Sequence, residues 1–276
     1  MVLQFSNFIL GLIISIIIGG LAYKSKSLSK GGLAGAVIIG TSIFGFGGWQ
    51  YFLLLILFFL SSSFLTKYRY RSKQEIGVAE FKAGARNIWQ TVGQGGVGAI
   101  LVFLAYLYPQ LWTPLILAFV SSIGEANGDT WAVEIGVLSK KRPKLITDLR
   151  KEVPPGTSGG VTVLGETAAL LGAAFIAIIA SIIGVGNGRI APVFLFCMIS
   201  AFLGEHVDSL LGATIQAMYY CPTCRKETEK KIHRCGTRGE LRRGIAIMNN
   251  EFVNFASTSF TAIISLVFSA LFFMLF

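Results

Sequence analysis

The sequence predicts an all-α integral membrane protein, a polytopic bundle of about eight transmembrane helices with both termini outside. Three observations predict it. Of 276 residues, 53% are hydrophobic and only 14% charged, whereas soluble domains carry about 25% charged residues to cover their surface. The apolar residues come in runs near the ~20 needed to cross a bilayer as helix, without the alternation of barrel strands. All of the 24 Lys and Arg except Arg189 fall in alternate connections between these runs. The composition excludes a disordered chain and a disulfide scaffold, and argues against an ordinary soluble enzyme.

Taken in order, the first span is Phe5–Tyr23, with no basic flank or small-residue cleavage site marking it as a signal peptide. Gly32–Gly47 is short and glycine-rich, and Gly47-Gly48-Trp49-Gln50 reads as a tight turn into Tyr51–Leu65. Gly95–Tyr108 and Leu111–Ser122 flank a turn at Pro109-Gln110, and the second continues helically through Glu125, Asp129 and Glu134. Val161–Ile183, Ile190–Gln216 and Phe252–Phe276 complete the set. The whole chain reads as one transmembrane domain, with residues 219–247 as a cytoplasmic loop.

Basic residues favour cytoplasmic connections. Here they occupy the first, third, fifth and seventh: Lys24 to Lys30, Lys67 to Arg86, Lys140 to Lys151, and Arg225 to Arg243. The formal charge of +10 is thereby read as a cytoplasmic face attractive to anionic lipid and phosphates, not to nucleic acid. The expected location is the cell membrane, multi-pass.

Carboxylates within spans are costly and usually functional. Glu125, Asp129 and Glu134 sit in the fifth span, Glu166 in the sixth, Glu205 and Asp208 in the seventh, and Glu251 opens the eighth. In this topology all seven lie at similar depth on the cytoplasmic side, so four helices are expected to deliver carboxylates to one cavity. Glu125/Asp129 and Glu205/Asp208 each share a helix face. Packed together they repel, and a divalent cation or basic partners must offset that. Hard oxygen donors suit Mg²⁺ with substrate phosphates; hydrogen bonding between helices is the structural alternative.

Polar connections supply the counterpart. Lys151-Glu-Val-Pro-Pro-Gly156-Thr157-Ser158-Gly159-Gly160 enters the sixth span, and its backbone N–H groups are expected at a helix N-terminus as an anion site. It lacks the Gly-Lys-Ser/Thr of a Walker loop. Arg86-Asn87 with Gln90 leads into the fourth span, where Arg86 offers a phosphate clamp. Asn250 and Asn254 open the eighth. In the seventh connection, Cys221-x₂-Cys224-x₈-His233-x-Cys235 offers four soft ligands of the kind a structural Zn²⁺ takes, with a free-thiol or redox loop as the alternative. Cys197, alone in a span, reads as packing.

Glu125-Ala-Asn-Gly-Asp129-Thr-Trp, Val153-Pro-Pro-Gly-Thr-Ser-Gly-Gly and Asp208-Ser-Leu-Leu-Gly-Ala-Thr-Ile-Gln216 resemble the membrane family that includes plant phytyl-phosphate kinase. The resemblance runs from about residue 80 onward; the cysteine loop departs from the plant members. It implies phosphorylation of a prenyl monophosphate such as phytyl or geranylgeranyl phosphate by a nucleoside triphosphate, CTP or ATP. Asp129 and Asp208 would hold Mg²⁺ with Glu134 and Glu205 assisting. Arg86, Lys151 and the Gly156–Gly160 loop would stabilise the transferring phosphoryl group. The matching positions Asn87, Gln90, Glu125, Thr130, Gln216, Asn250 and Asn254 are implied as substrate or nucleotide contacts. Rival readings are a prenyl alcohol kinase, a lipid-phosphate cytidylyltransferase and, from another class, a cation-coupled transporter.

Overall fold

The computed structural model describes residues 5–75, 84–185, 190–233 and 235–275. Lys82, Arg189 and Arg234 of the charge pattern lie outside them. Among the described residues there are eight long helices, labelled here in chain order together with one short one: α1 (Phe5–Lys24), α2 (Lys30–Gly47), α3 (Trp49–Lys67), the short α4 (Tyr70–Glu75), α5 (Ile88–Leu107), α6 (Trp112–Gly136), α7 (Val163–Ile182), α8 (Ile190–Thr214) and α9 (Asn250–Leu275). Seven are long and apolar enough to cross a membrane. The eighth, α6, is diluted by its own acids and amides, yet Leu115 to Gly128 is an unbroken buried run. It is the axis of the bundle, packed by α3, α5, α7, α8 and α9. Lipid need not solvate it, because protein does.

Two boundaries differ from expectation. The polar stretch before Gly95 is already helical: α5 starts at Ile88, because Asn87 accepts from Gln90 N–H while Gln90 Oε1 accepts from Asn87 N–H. That reciprocal capping box fixes a helix start. The connections also hold two small antiparallel sheets. β1 (Lys144–Leu145), β2 (Asp148–Glu152) and β3 (Gly160–Val161) pair in the order β2-β1-β3. β4 (Met218–Cys221), β5 (Lys226–Thr228) and β6 (Glu240–Arg243) pair in the order β5-β4-β6. The bundle is helical, but its polar end is not.

Close helix approach rests on small residues. A Cβ at Gly128 would meet Ala169 O at 2.9 Å, and one at Gly172 would meet Gly128 Cα at 3.0 Å. At this contact Asn127 Nδ2 donates to Gly172 O (2.8 Å), and Ser61 Oγ donates to Asn127 Oδ1 (2.8 Å). One buried amide thereby ties α3, α6 and α7. The odd-numbered connections meet at one end. Leu28 bridges Arg86, Lys67 Nζ donates to Ser25 O and Ser27 Oγ, and Ser158 Oγ donates to Gln216 Oε1.

Candidate active site

At that end the bundle encloses a cavity of about 1320 Å³, counted to its open mouth. From α6 it is lined by Asp129, Thr130 and Glu134, from α7 by Glu166, and from α8 by Glu205 and Asp208. The fourth helix differs from expectation: α9 contributes Asn250 and Asn254, while Glu251 is not among the lining residues. Glu125, one turn deeper on α6, is buried behind the wall, with Oε2 lacking a hydrogen-bond partner among the described residues.

The carboxylates are held differently. Glu134 Oε2 pairs at 2.5 Å with Lys73 Nζ, which also donates to Leu65 O (2.8 Å). Lys73 is only 2% exposed. Glu134, expected to assist a metal, thus already has a cation. Glu205 and Glu166 flank His206, at 3.3 Å from Nδ1 and 3.2 Å from Nε2 respectively. Asp208 Oδ2 accepts from Ser257 Oγ at 2.8 Å. Asp129 is surrounded by Asp208, Glu205, Glu229 and Glu134, all of which repel it. Among the described residues no Lys or Arg forms an ion pair with Asp129, Glu205 or Asp208. Glu205 has the His206 ring beside it, which leaves Asp129 and Asp208 as the cavity acids without a basic partner among the described residues. Two carboxylates completed by substrate phosphates are a donor set that suits Mg²⁺.

The glycine-rich loop reaches the cavity, with Gly156, Thr157, Ser158, Gly159 and Gly160 all in its wall. It is not the helix N-terminus expected of it. Strand β3 intervenes, and α7 starts at Val163, capped by Thr162 Oγ1, which accepts from Gly165 N–H. Within the loop Gly160 N–H donates to Thr157 O and Thr157 N–H to Pro154 O. Gly159 (φ 75°) packs so closely that a Cβ would lie 2.4 Å from Ala213 Cβ. Gln216 closes this wall: it is 1% exposed, and its Nε2 has no partner among the described residues. A buried amide donor without a partner calls for one, and here it stands beside the polar loop in the cavity wall. Lys151, expected to act on the phosphoryl group, lies instead on β2, whose five residues are all exposed, and it is not among the lining residues. A two-sided strand at the sheet edge points neither face at the cavity.

Arg86 and Gln90 line the opposite wall; Asn87 does not, being spent on the cap. Arg86 is fixed by its backbone, N–H to Ser27 O and O from Ser29 N–H. Its guanidinium lies 5.6 Å from the Phe58 and Phe59 ring centroids, a cation–π arrangement. Beyond it a second, apolar cavity of about 600 Å³ runs between α1, α2, α3 and α5, past Phe52, Leu55 and Ile56. Arg86 and Gln94 line both spaces.

Apart from the cavity wall, Cys221, Cys224, His233 and Cys235 converge, with one ligand atom from each within 4.8 Å of the others. Hydrogen bonds from Thr237 and from the His233 ring bring the Cys235 thiol down to about 5. Hydrogen bonding with Cys235 pushes Cys224 up to about 11. Sequence reasoning missed Lys73, Ser257 and Glu229. Lys73 and Glu229 stood among loop charges, and Ser257 is one hydroxyl of several in α9; no local pattern marks them.

Fold and cavity together define a helical integral membrane protein with a carboxylate-lined cavity at its basic end. The chain belongs to the family described as integral membrane protein DUF92, whose model matches residues 13–262. This is the family to which the Asp-Thr-Trp and Pro-Pro-Gly-Thr motifs point. It is 33% identical to Protein PGR of Arabidopsis thaliana over 93% of this chain and 94% of that one. It is 31% identical to Protein VTE6, chloroplastic, of the same plant, over 68% of this chain and 56% of that one. An uncharacterized membrane protein of Synechocystis is 32% identical over 69% of this chain and 73% of its own. No solved structure matches the chain.

Proposed function

We propose that the protein is a prenyl-phosphate kinase, making a prenyl diphosphate from the monophosphate and a nucleoside triphosphate, CTP in this reading. The observation that carries it is the pair of spaces that share Arg86 and Gln94 in their walls. One is polar and carboxylate-lined, the other apolar and set among spans. A molecule with a phosphate head and a hydrocarbon tail matches that division. The tail takes the apolar cavity, and the head meets the Arg86 guanidinium, which suits phosphate bidentately. The nucleotide enters from the loop end, its phosphates against Gly156–Gly160 and the Nε2 of Gln216. Asp129 and Asp208 would hold Mg²⁺, with Glu205 beside them in the wall, and the metal would offset charge on the transferring group.

The chemistry asks little else of the protein. A phosphate oxygen of the acceptor is already ionised. It forms the new P–O bond as the bond between the γ-phosphorus and its bridging oxygen breaks, and the nucleoside diphosphate leaves. Positioning and electrostatics then supply the catalysis. In this reading the cavity faces the cytoplasm from a cell-membrane protein with both termini outside; the Lys and Arg of the connections at the cavity end support that orientation.

The test incubates purified protein in lipid with phytyl or geranylgeranyl phosphate, the matching alcohols, CTP or ATP, and Mg²⁺, and identifies products by mass. Diphosphate with release of nucleoside diphosphate is expected. Monophosphate from the alcohol would move the reading to an alcohol kinase. A cytidylyl lipid with pyrophosphate would move it to a transferase. No product with any triphosphate overturns it.

A further inference from the structure

We propose that Cys221, Cys224, His233 and Cys235 form a structural Zn²⁺ site that fastens the α8–α9 connection over the cavity. The four residues come from two separate turns. In the first, Cys224 N–H points at Cys221 Sγ (3.5 Å) and Arg225 N–H donates to Cys221 O (2.8 Å), with Arg225 in the left-handed region (φ 53°). The second turn is tighter: Gly236 N–H donates to His233 O (2.9 Å), and Gly236 has φ 82°. Each turn aims its ligands at a common point.

The distances suit that point. Cys221 Sγ and Cys235 Sγ are 3.6 Å apart, and His233 Nδ1 is 3.2 Å from Cys235 Sγ. Four ligands about 2.3 Å from a tetrahedral zinc stand about 3.8 Å from one another. A disulfide would use two of the sulfurs and leave a third thiol and an imidazole converging for nothing. Four protein ligands leave no open position, so the site is structural, not catalytic.

What it fastens is specific. The sheet β5-β4-β6 has strands of three and four residues, too little to hold a connection of this length without a staple. The sheet grips the end of α8. Arg243 donates to Gly212 O (3.0 Å) and Ala213 O (2.7 Å), and Ile245 N–H donates to Ile215 O. Gln216, which precedes β4, and Glu229, which lies between the two turns, both line the cavity.

The test measures metal in the full chain, purified in detergent without chelator, by mass spectrometry of the elements. One zinc per chain is expected in the wild type and in Cys197→Ser, whose cysteine is buried in α8 away from the cluster. None is expected in Cys224→Ser or in the Cys221→Ser/Cys235→Ser double variant. Should those variants fail to fold, Co²⁺ exchanged into the wild type is expected to give the intense visible bands of a tetrahedral thiolate site. Folded wild-type protein that contains no zinc and gives no such bands, or that carries a disulfide within the cluster, overturns the proposal.

Discussion

Two sides of the cavity treat the same chemical group in opposite ways. On the α4 side, Glu134 meets a lysine that the fold has buried to receive it. On the α8 side, five residues earlier on the same helix, Asp129 has no Lys or Arg ion pair among the described residues and is repelled by the acids around it. A carboxylate with its cation built in is a strut. Carboxylates without one repel in a weakly screened interior, and under the proposed function a mobile cation would offset that. Burial alone does not draw this line, since Glu134 beside Lys73 and Glu125, whose Oε2 has no partner among the described residues, are both under a tenth exposed.

The largest effect that tests this contrast is on the paired side. Lys73→Met leaves Glu134 buried and alone, at a cost of about 3–5 kcal/mol, read as a fall in thermal stability in detergent. Lys73→Met with Glu134→Leu restores most of it, since removing both partners of a buried pair is often nearly neutral. A single-variant loss below about 1 kcal/mol would mean water reaches the pair, and the strut would be no strut.

On the unpaired side the expected pattern reverses. Asp129→Asn keeps the volume and removes a repelled charge, so the fold is as stable as before or more so. Diphosphate formation falls about 10²–10³-fold, the range for losing one electrostatic contact in the transition state. Turnover that survives, or a stability loss resembling that of Lys73→Met, would erase the distinction.

The contrast was only half legible in the sequence. The spans were readable because lipid imposes a coarse length and composition rule, and the central helix because acids inside an apolar run stand out. Asp129 and Asp208 were readable for the same reason. Lys73 was not: it belongs to a basic connection, where a lysine signals topology, and only the turn at Arg69 (φ 50°) into α4 takes its ammonium indoors. Glu134 was therefore read together with its unpaired neighbours. The resemblance implied Asn87 and Gln90 as contacts; both serve the capping box of α5, and Gln90 also lines the cavity while Asn87 does not. The glycine loop reached the cavity but not the helix N-terminus, since β3 takes Gly160 and Val161 and the Thr162 hydroxyl, accepting from Gly165 N–H, caps α7. The cysteine cluster was legible because its two turns are local in the chain.

The smallest effect sharpens the contrast within the unpaired side. Ser257 donates to Asp208 Oδ2, leaving Oδ1 for a cation and fixing the direction in which the carboxylate presents it. If Asp208 holds Mg²⁺, Ser257→Ala loosens a ligand by removing its outer partner, an effect of about 10-fold or somewhat more in metal affinity. It is read as a matching rise in the Mg²⁺ concentration for half-maximal activity, with the rate at saturating Mg²⁺ nearly kept. If Asp208 is only a hydrogen-bonded interior acid, the same substitution costs about 1 kcal/mol of stability and leaves the Mg²⁺ dependence where it was. The two outcomes move different measurements. Ser257→Ala therefore distinguishes a carboxylate held for a metal from one held for the fold, at the residue where the contrast with Glu134 is finest.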